Sequence, residues 1–236
     1  MSRLQGPRQL ALALPHSESL ARDDFLEGPA NTEALALVDR WPDWPVPIVA
    51  LVGPEGSGKS HLAAIWADSA GARFVAARAL ERTLLPGALA TGALVVEDLS
   101  EGQFDERALF HLINLAKEEE AHVLLTARSE PAGWKIGLAD LASRLRAVPT
   151  VGIAPPDDAL LRAIFVKLFA DRQLKVDDGL IGYLVTRIER SGAAARAIVE
   201  RLDREALRRR RPVSRALAVD MLAEQPSLFP ESYDTP

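Results

Sequence analysis

The residues best suited to chemistry in this sequence form one short glycine-rich stretch, GPEGSGKS at residues 53–60. It fits the pattern G-x-x-x-x-G-K-[ST], in which glycines let the backbone curl so that its N–H groups point at phosphate oxygens. This spacing predicts that Lys59 reaches the β and γ phosphates of a nucleotide and that the Ser60 hydroxyl ligates Mg²⁺. An ordinary glycine turn is the alternative interpretation. The cofactor-binding candidates here are Gly53, Gly56, Ser57, Gly58, Lys59 and Ser60, with His61 directly after them.

The segments on either side of this stretch are those that a phosphate-binding loop requires. The apolar run IVALV at 48–52 predicts a buried parallel strand. After the loop, residues 62–69 carry apolar side chains at helical spacing, and Gly71 is placed to end that helix. The N-terminus of such a helix adds a partial positive charge that favours phosphate. Strand, loop and helix therefore occur in the order that phosphate binding needs.

Two carboxylates, Glu97 and Asp98, end the next strongly apolar segment, the predicted strand at 93–98. At the end of a strand beside the loop, Glu97 is expected to hold Mg²⁺ through water and Asp98 to orient an attacking water. A strand end that is acidic by chance is the alternative. Thr126 closes a further apolar run at 122–126 and is a candidate sensor of the γ-phosphate.

Two arginines complete the set of candidate residues. Arg144 lies just before the last predicted strand, at 150–153, and Arg196 lies near the start of a predicted helix. An arginine at a helix start opposes the local dipole, so Arg196 is expected to have an anionic partner. Without this context, each would more often be a surface arginine.

The order of the predicted elements indicates an α/β fold followed by helices alone. Alternating strands and helices predict a parallel sheet covered on both faces, whereas the period after residue 155 is helical in four successive segments. Asn31 with Thr32, Asp105 and Ser214 are placed to cap helices. The expected divisions are a tail at 1–19, a nucleotide-binding domain at 20–154, a helical lid at 155–224 and a C-terminal tail at 225–236.

Composition excludes several classes of function. The 236 residues are 48% hydrophobic and 26% charged, which is typical of a globular protein with a core. The absence of cysteine excludes disulfides, thiolate metal sites and a thiol nucleophile. A net charge of −5 argues against broad nucleic-acid binding, and no apolar run approaches the ~20 residues of a membrane span. We expect a soluble intracellular protein, with the basic run at 208–211 solvated at a helix end and DNA contact as the alternative.

Taken in order, these features resemble the AAA+ ATPases and, more narrowly, the ATPase core of DnaA, the bacterial replication initiator. The resemblance spans about residues 20–224, and its most specific segment, at 140–145, is similar to the one that bears the arginine finger. It implies an AAA+ P-loop domain with a parallel sheet between helices and a small all-helical lid. ADP or ATP with Mg²⁺ is the implied cofactor. By the same resemblance, Phe25, Leu26 and Asn31 flank the base or ribose, and Arg196 contacts the phosphates. The other segments that carry the resemblance lie at 24–28, 53–60, 95–99 and 125–128.

The tails narrow the resemblance further. Residues 225–236 are too few for the helix-turn-helix domain with which DnaA reads origin DNA. Both tails are similar to peptides that bind the β sliding clamp of DNA polymerase III, and a bland apolar tail is the alternative for the first. The clamp-binding candidates are Gln9, Leu10, Leu12 and Leu14, with Gln225, Leu228 and Phe229 as the second set.

This combination resembles the Hda-type regulatory inactivators, which are related to DnaA. In that family an ADP-bound protein docks on the DNA-loaded clamp, and its arginine finger, here Arg144, triggers ATP hydrolysis on DnaA. Negative regulation of replication initiation in the cytoplasm, at the nucleoid or replisome, is thereby implied. The implied partners are DnaA, the clamp and a further copy of the chain, with no membrane contact and only indirect or weak DNA contact.

One departure from the family pattern bears on catalysis. The acidic pair usually opens with Asp, and the longer Glu97 would shift the metal, so weak self-hydrolysis is expected. Three alternatives stay open: an autonomous ATPase of the helicase-loader or initiator type, a nucleotide-locked clamp adaptor without stimulating activity, and a DNA-binding initiator fragment.

Overall fold

The computed structural model describes residues 20–223, in which helices flank a five-stranded sheet. The spatial order of the strands is β2-β3-β4-β1-β5, and each neighbouring pair is parallel. The predicted α/β class with a parallel sheet is therefore confirmed. The strands are Ile48–Val52 (β1), Arg73–Ala76 (β2), Ala93–Leu99 (β3), His122–Ala127 (β4) and Thr150–Gly152 (β5).

The central strands are continuous apolar runs because helices cover both faces of the sheet. Alternate residues of β1 enter different hydrophobic cores: Ala50 packs in one, and Val49 and Leu51 pack in the other. On the first face lies Glu106–Glu118 (α4), and on the second lie Thr32–Asp39 (α1) and Lys59–Ala70 (α2). This arrangement brings the carboxyl ends of β1, β3 and β4 to one edge.

Helix ends follow local chemistry in most of the predicted places. Gly71 takes a left-handed conformation, with φ of 63°, directly after α2. The carboxylate of Asp105 accepts the amides of Arg107 and Ala108, and so caps α4. The remaining helices before residue 155 are Leu85–Ala88 (α3) and Ala139–Arg146 (α5), with short 3₁₀ turns at Arg22–Asp24, Ala77–Ala79, Arg82–Leu84 and Pro131–Gly133.

The predicted capping by Asn31 is wrong in mechanism, although α1 does begin at Thr32. The Asn31 amide accepts the Gly28 N–H at 2.9 Å and donates to the Leu26 carbonyl at 3.0 Å. Its side chain makes no capping bond to α1, because it closes the preceding loop instead. Asn31 therefore shapes the segment that leads into the helix.

Between residues 155 and 223, where the described part of the chain ends, four helices follow one another, as the period predicts. Their apolar faces meet in a core of their own, centred on residues such as Phe165, Leu184 and Leu202. No helix within residues 20–223 combines the length and apolar character needed to cross a membrane. The helices are Asp158–Asp171 (α6), Asp178–Val185 (α7), Gly192–Arg209 (α8) and Arg215–Ala223 (α9).

Candidate functional site

The glycine-rich stretch joins β1 to α2 in a backbone conformation that other residues could not adopt easily. Gly56 has φ of +72° and Gly58 has φ of +103°, both in the left-handed region that favours glycine. A Cβ atom on Gly53 would lie 2.5 Å from the carbonyl oxygen of Ile153, so this position also requires glycine. The loop ends at the N-terminus of α2, where free amide groups favour an anion.

Lys59, the first residue of α2, folds back over the loop. Its side chain is buried, and its Nζ atom donates hydrogen bonds to the carbonyls of Gly53 at 2.8 Å and Pro54 at 2.7 Å. Burial lowers the pKa of Lys59, and the negative charge of Asp98 opposes that shift. A buried ammonium whose hydrogen-bond partners within residues 20–223 are neutral carbonyls is a favourable place for a phosphate.

The glycine-rich stretch also contains two serines, Ser57 within the loop and Ser60 at the start of α2. The Ser57 hydroxyl is buried and has no hydrogen-bond partner among residues 20–223, which is an unusual state for a buried polar group. A phosphate oxygen at the loop would give it one. Ser60 lies in the first turn of α2 and is exposed, where its hydroxyl is open to a ligand.

The acidic pair lies near the end of its strand, as predicted, at a place where the pairing with the neighbouring strand is irregular. Strand β3 continues to Leu99, and its register with β4 shifts between Val96 and Leu99. Asp98 at this bulge has φ of 57°, and its N–H donates to the hydroxyl oxygen of the buried Thr126 at 3.1 Å. Thr126 therefore supports the backbone that carries Asp98.

The two carboxylates differ in their surroundings. Asp98 is exposed, and its negative charge opposes the lowering of the Lys59 pKa by burial, whereas Glu97 is half-buried. Hydroxyl and carboxylate oxygens suit Mg²⁺, yet residues 20–223 contain no cluster of three or more acidic or histidine ligands. Ser60 and Glu97 stay the predicted donors, and an ion held by them would need its remaining ligands from phosphate and water.

A cleft lies beside the loop, between the loop, the segment 24–31 and helices α6 and α8. Concave places lined by apolar side chains with a few polar groups are typical of small-molecule sites. Phe25, Leu26, Asn31 and His61 line the cleft, as predicted for cofactor-binding candidates, and face Leu160, Ile164 and Leu168 of α6. The His61 ring meets the Phe25 ring edge-on, with 5.2 Å between centroids, and its Nε2 lies 3.0 Å from the Ala21 carbonyl.

An ion pair that sequence patterns did not indicate joins the two sides of this cleft. The Nζ of Lys167 in α6 lies 2.5 Å from Asp24 Oδ1, and it also contacts Asp171 one turn further along α6. The hydrogen bond to Asp24 raises the pKa of Lys167. The C-terminal half of helix α6 is thereby joined to the residue that precedes Phe25.

The N-terminus of α8 rests directly on the glycine loop. Ser191 caps this helix by accepting the Ala194 amide, and the Gly192 N–H donates to the Gly56 carbonyl at 3.0 Å. A Cβ atom on Gly56 would lie 2.6 Å from the Ala193 side chain, so the approach is close. One turn further on, Arg196 lines the cleft, where its charge suits phosphate oxygens.

Arg144 occupies a different surface from Arg196. It is half-buried on α5, and its guanidinium carbon lies 4.9 Å from the centroid of the Phe110 ring on α4. Arg144 does not line the cleft, and no carboxylate within residues 20–223 forms an ion pair with it. The structure thus brings Arg196 together with Gly56, Ser57, Gly58 and His61 around the cleft and leaves Arg144 apart from them.

Two further groups of predicted residues have different outcomes. At the end of α8, Arg208 and Arg209 both bind the carboxylate of Glu205. The Arg208 side chain is exposed, as predicted for a solvated run, whereas the Arg209 side chain is only 20% exposed. The clamp-binding candidates in both tails, including Gln9 and Gln225, lie outside the described residues.

No protein-family model and no curated protein matches this chain. Several solved structures do match it. Domain III of the Thermotoga maritima replication initiation protein DnaA is 16% identical with a TM-score of 0.74, covering 89% of this chain and 98% of that one. AMPPCP-bound DnaA from Aquifex aeolicus is 16% identical with a TM-score of 0.64. The match covers 77% of this chain and 64% of that one.

The Thermotoga maritima RuvB Holliday junction branch migration motor is 15% identical with a TM-score of 0.68, covering 87% of this chain and 72% of that one. The fold of this chain is accordingly the AAA+ fold found in DnaA domain III and RuvB.

Proposed function

We propose that this chain is a DnaA-related AAA+ regulator that holds ADP or ATP with Mg²⁺ in its own cleft and stimulates hydrolysis of ATP bound to DnaA. Arg144 supplies an arginine finger in trans, and the outcome is negative regulation of replication initiation. The observation that carries the proposal is the separation of two arginines: Arg196 lines the cleft, while Arg144 stands outside it on another helix.

Nucleotide binding by this chain is supported by its own residues. Donors to phosphate oxygens come from the glycine loop, the buried Lys59 ammonium, Arg196 and the Ser57 hydroxyl, which has no hydrogen-bond partner within residues 20–223. Apolar side chains of Phe25 and Ile164 line the same cleft, where a base would fit. When bound, Mg²⁺ would neutralise phosphate charge, with Ser60 and Glu97 as the ligands from this chain. The similar DnaA from Aquifex aeolicus binds AMPPCP, which supports a nucleotide here as well.

Arg144 is suited to act on a neighbour's nucleotide. Its guanidinium is permanently charged and stacks on an aromatic ring without a carboxylate partner in residues 20–223. A guanidinium brought to a triphosphate of DnaA would stabilise the charge that develops on the γ-phosphate oxygens. Fingers supplied in trans raise the rate by roughly 10³ to 10⁵. The exposed Asp98 and the buried Thr126 would act, by contrast, on this chain's own slow turnover.

Recruitment to the β sliding clamp completes the proposal. The peptide at Gln9–Leu14, with the one at Gln225–Phe229 as a second candidate, would place alternate side chains in apolar pockets of the clamp while the glutamine amide forms hydrogen bonds. Two weak sites in one chain would raise the avidity. The protein would then act at the replisome, where DnaA is inactivated after initiation.

The test measures hydrolysis of ATP prebound to DnaA, with and without clamp-loaded DNA, on adding the wild-type chain or Arg144→Ala. The matched control is Arg146→Ala, which removes an exposed arginine from the same helix. We expect clamp-dependent stimulation that Arg144→Ala loses by 10³-fold or more and Arg146→Ala keeps. Stimulation that survives Arg144→Ala would contradict the finger. Rapid hydrolysis by the isolated chain would favour the autonomous ATPase instead.

A further inference from the structure

A single glutamate connects α4 to the start of the helix that carries Arg144. Glu106 is the first residue of α4, and its carboxylate accepts the N–H of Gly137 at 3.0 Å and the N–H of Leu138 at 2.8 Å. Leu138 is the N-cap position of α5, and its side chain cannot accept a hydrogen bond. Asp140 places one carboxylate in the first turn of α5, but the side chain of the N-cap residue makes no capping bond. Glu106 therefore supplies, from another helix, a charged acceptor for the two amides that lead into α5.

The same face of α4 also contacts the other end of α5. Phe110 follows Glu106 by four residues, so the two side chains lie one above the other on α4. The Phe110 ring lies under the Arg144 guanidinium at 4.9 Å. Helix α4 thus holds the two residues just before α5 through a carboxylate and the last turn of α5 through an aromatic ring.

We propose that Glu106 is a positioning residue for Arg144. Its carboxylate fixes the start of α5, and Phe110 supports the guanidinium, so the arginine is held in place before a partner arrives. This inference rests on the proposed function of Arg144. A finger must reach the developing charge with little error, because a displacement of about 1 Å can lower a rate roughly 10²-fold.

A purely structural role for Glu106 makes different predictions from a positioning role. A carboxylate that only stabilised the fold would, when removed, reduce thermal stability and the affinity for every partner together. A positioning residue would reduce the maximal rate of the stimulated reaction and leave the concentration for half-maximal stimulation in place. Its effect would also vanish once Arg144 is absent.

The experiment compares Glu106→Ala and Glu106→Gln with Glu118→Ala, which removes an exposed carboxylate from the far end of the same helix. Hydrogen exchange of the Gly137 and Leu138 amides is measured in the full chain without partners, and stimulation of DnaA-ATP hydrolysis is measured over a range of chain concentrations. We expect faster exchange of both amides and a maximal rate lowered about 10- to 100-fold in Glu106→Ala. Glu106→Gln, which keeps one acceptor oxygen and is the milder change if the alanine variant unfolds, should lose less.

Three outcomes decide the question. Suppose that Arg144→Ala is inactive, so that the proposed function stands. Unchanged amide exchange or an unchanged maximal rate in Glu106→Ala would then overturn the positioning role. A further loss when Glu106→Ala is added to Arg144→Ala would also overturn it, because the two residues would then act separately. An Arg144→Ala variant that stimulates normally would overturn the proposed function, and the inference with it.

Discussion

The amide of Gly192 donates a hydrogen bond to the carbonyl of Gly56, with 3.0 Å between nitrogen and oxygen. The first residue of helix α8 is thereby joined to the loop that is proposed to hold phosphate. Because the Gly56 carbonyl accepts a hydrogen bond from the lid, a change in the backbone conformation of the loop would move or break this bond to α8. Nucleotide occupancy and lid position are expected to be coupled through this contact.

Enlarging the side chain next to this bond should separate the lid from the loop. Ala193→Leu adds bulk where the Ala193 side chain already lies against Gly56. Overpacking of this kind costs about 1–3 kcal/mol, so we expect the ADP dissociation constant to rise about tenfold or more. Isothermal titration would measure it. Ala197→Leu, on an exposed part of the same helix, is the control, and equal effects of the two would disprove the coupling.

The ion pair between Lys167 and Asp24 should hold the opposite wall of the cleft. Both side chains are more than two-thirds buried, so the pair is screened less than a surface pair. Lys167→Met is expected to weaken ADP binding by about 1 kcal/mol, or roughly fivefold. Arg190→Met breaks the exposed pair with Asp158 in the same group of helices and should leave ADP affinity unchanged. Parallel titrations that show no difference would refute a role for Lys167 in the cleft.

Local sequence patterns predicted the elements that hold the candidate site. Continuous apolar runs located the strands because a sheet covered on both faces must be apolar throughout, as in the fully buried β1. Gly71 and Asp105 marked helix ends because a left-handed residue and a carboxylate satisfy end groups by local geometry. The glycine loop was predictable because its conformation is specified by its own residues.

Contacts between distant segments were not predictable from the sequence. Lys167 and Asp24 are 143 positions apart, and Glu106 precedes Gly137 by 31. Nothing in the spacing of either residue distinguishes it from a solvated surface charge. The capping prediction for Asn31 failed for a related reason, because two acceptable partners competed and the loop at Leu26 and Gly28 took the side chain.

The basic run at the end of α8 gives a prediction that depends on pH. Hydrogen bonds from Arg208 and Arg209 lower the pKa of Glu205 to about 2, from an ordinary value of 4.5. A carboxylate with a depressed pKa stabilises the fold above its unfolded pKa, and this stabilisation is lost as the pH falls through the folded value. Glu205→Gln should therefore lower the melting temperature at pH 7, and the difference should shrink between about pH 4.5 and pH 2.

The matched control for that series is Glu200→Gln. Glu200 forms a long ion pair with Arg204, with 3.8 Å between the charged atoms, and both side chains are exposed. We expect a smaller difference in melting temperature at pH 7 for this variant. A Glu205→Gln effect that persists unchanged at low pH would show that the ion pairs are not its cause. It would also leave the basic run open to other ligands.

The two arginines are proposed to serve different nucleotides: Arg196 contacts the nucleotide in this chain's own cleft, and Arg144 does not. Equilibrium titration of ADP and ATP into Arg196→Ala and Arg144→Ala tests it without any partner. We expect Arg196→Ala to bind at least tenfold more weakly, because a charge-assisted hydrogen bond contributes about 1.5–3 kcal/mol, and Arg144→Ala to bind as the wild-type chain does. Weakened binding by Arg144→Ala with unchanged binding by Arg196→Ala would contradict the account.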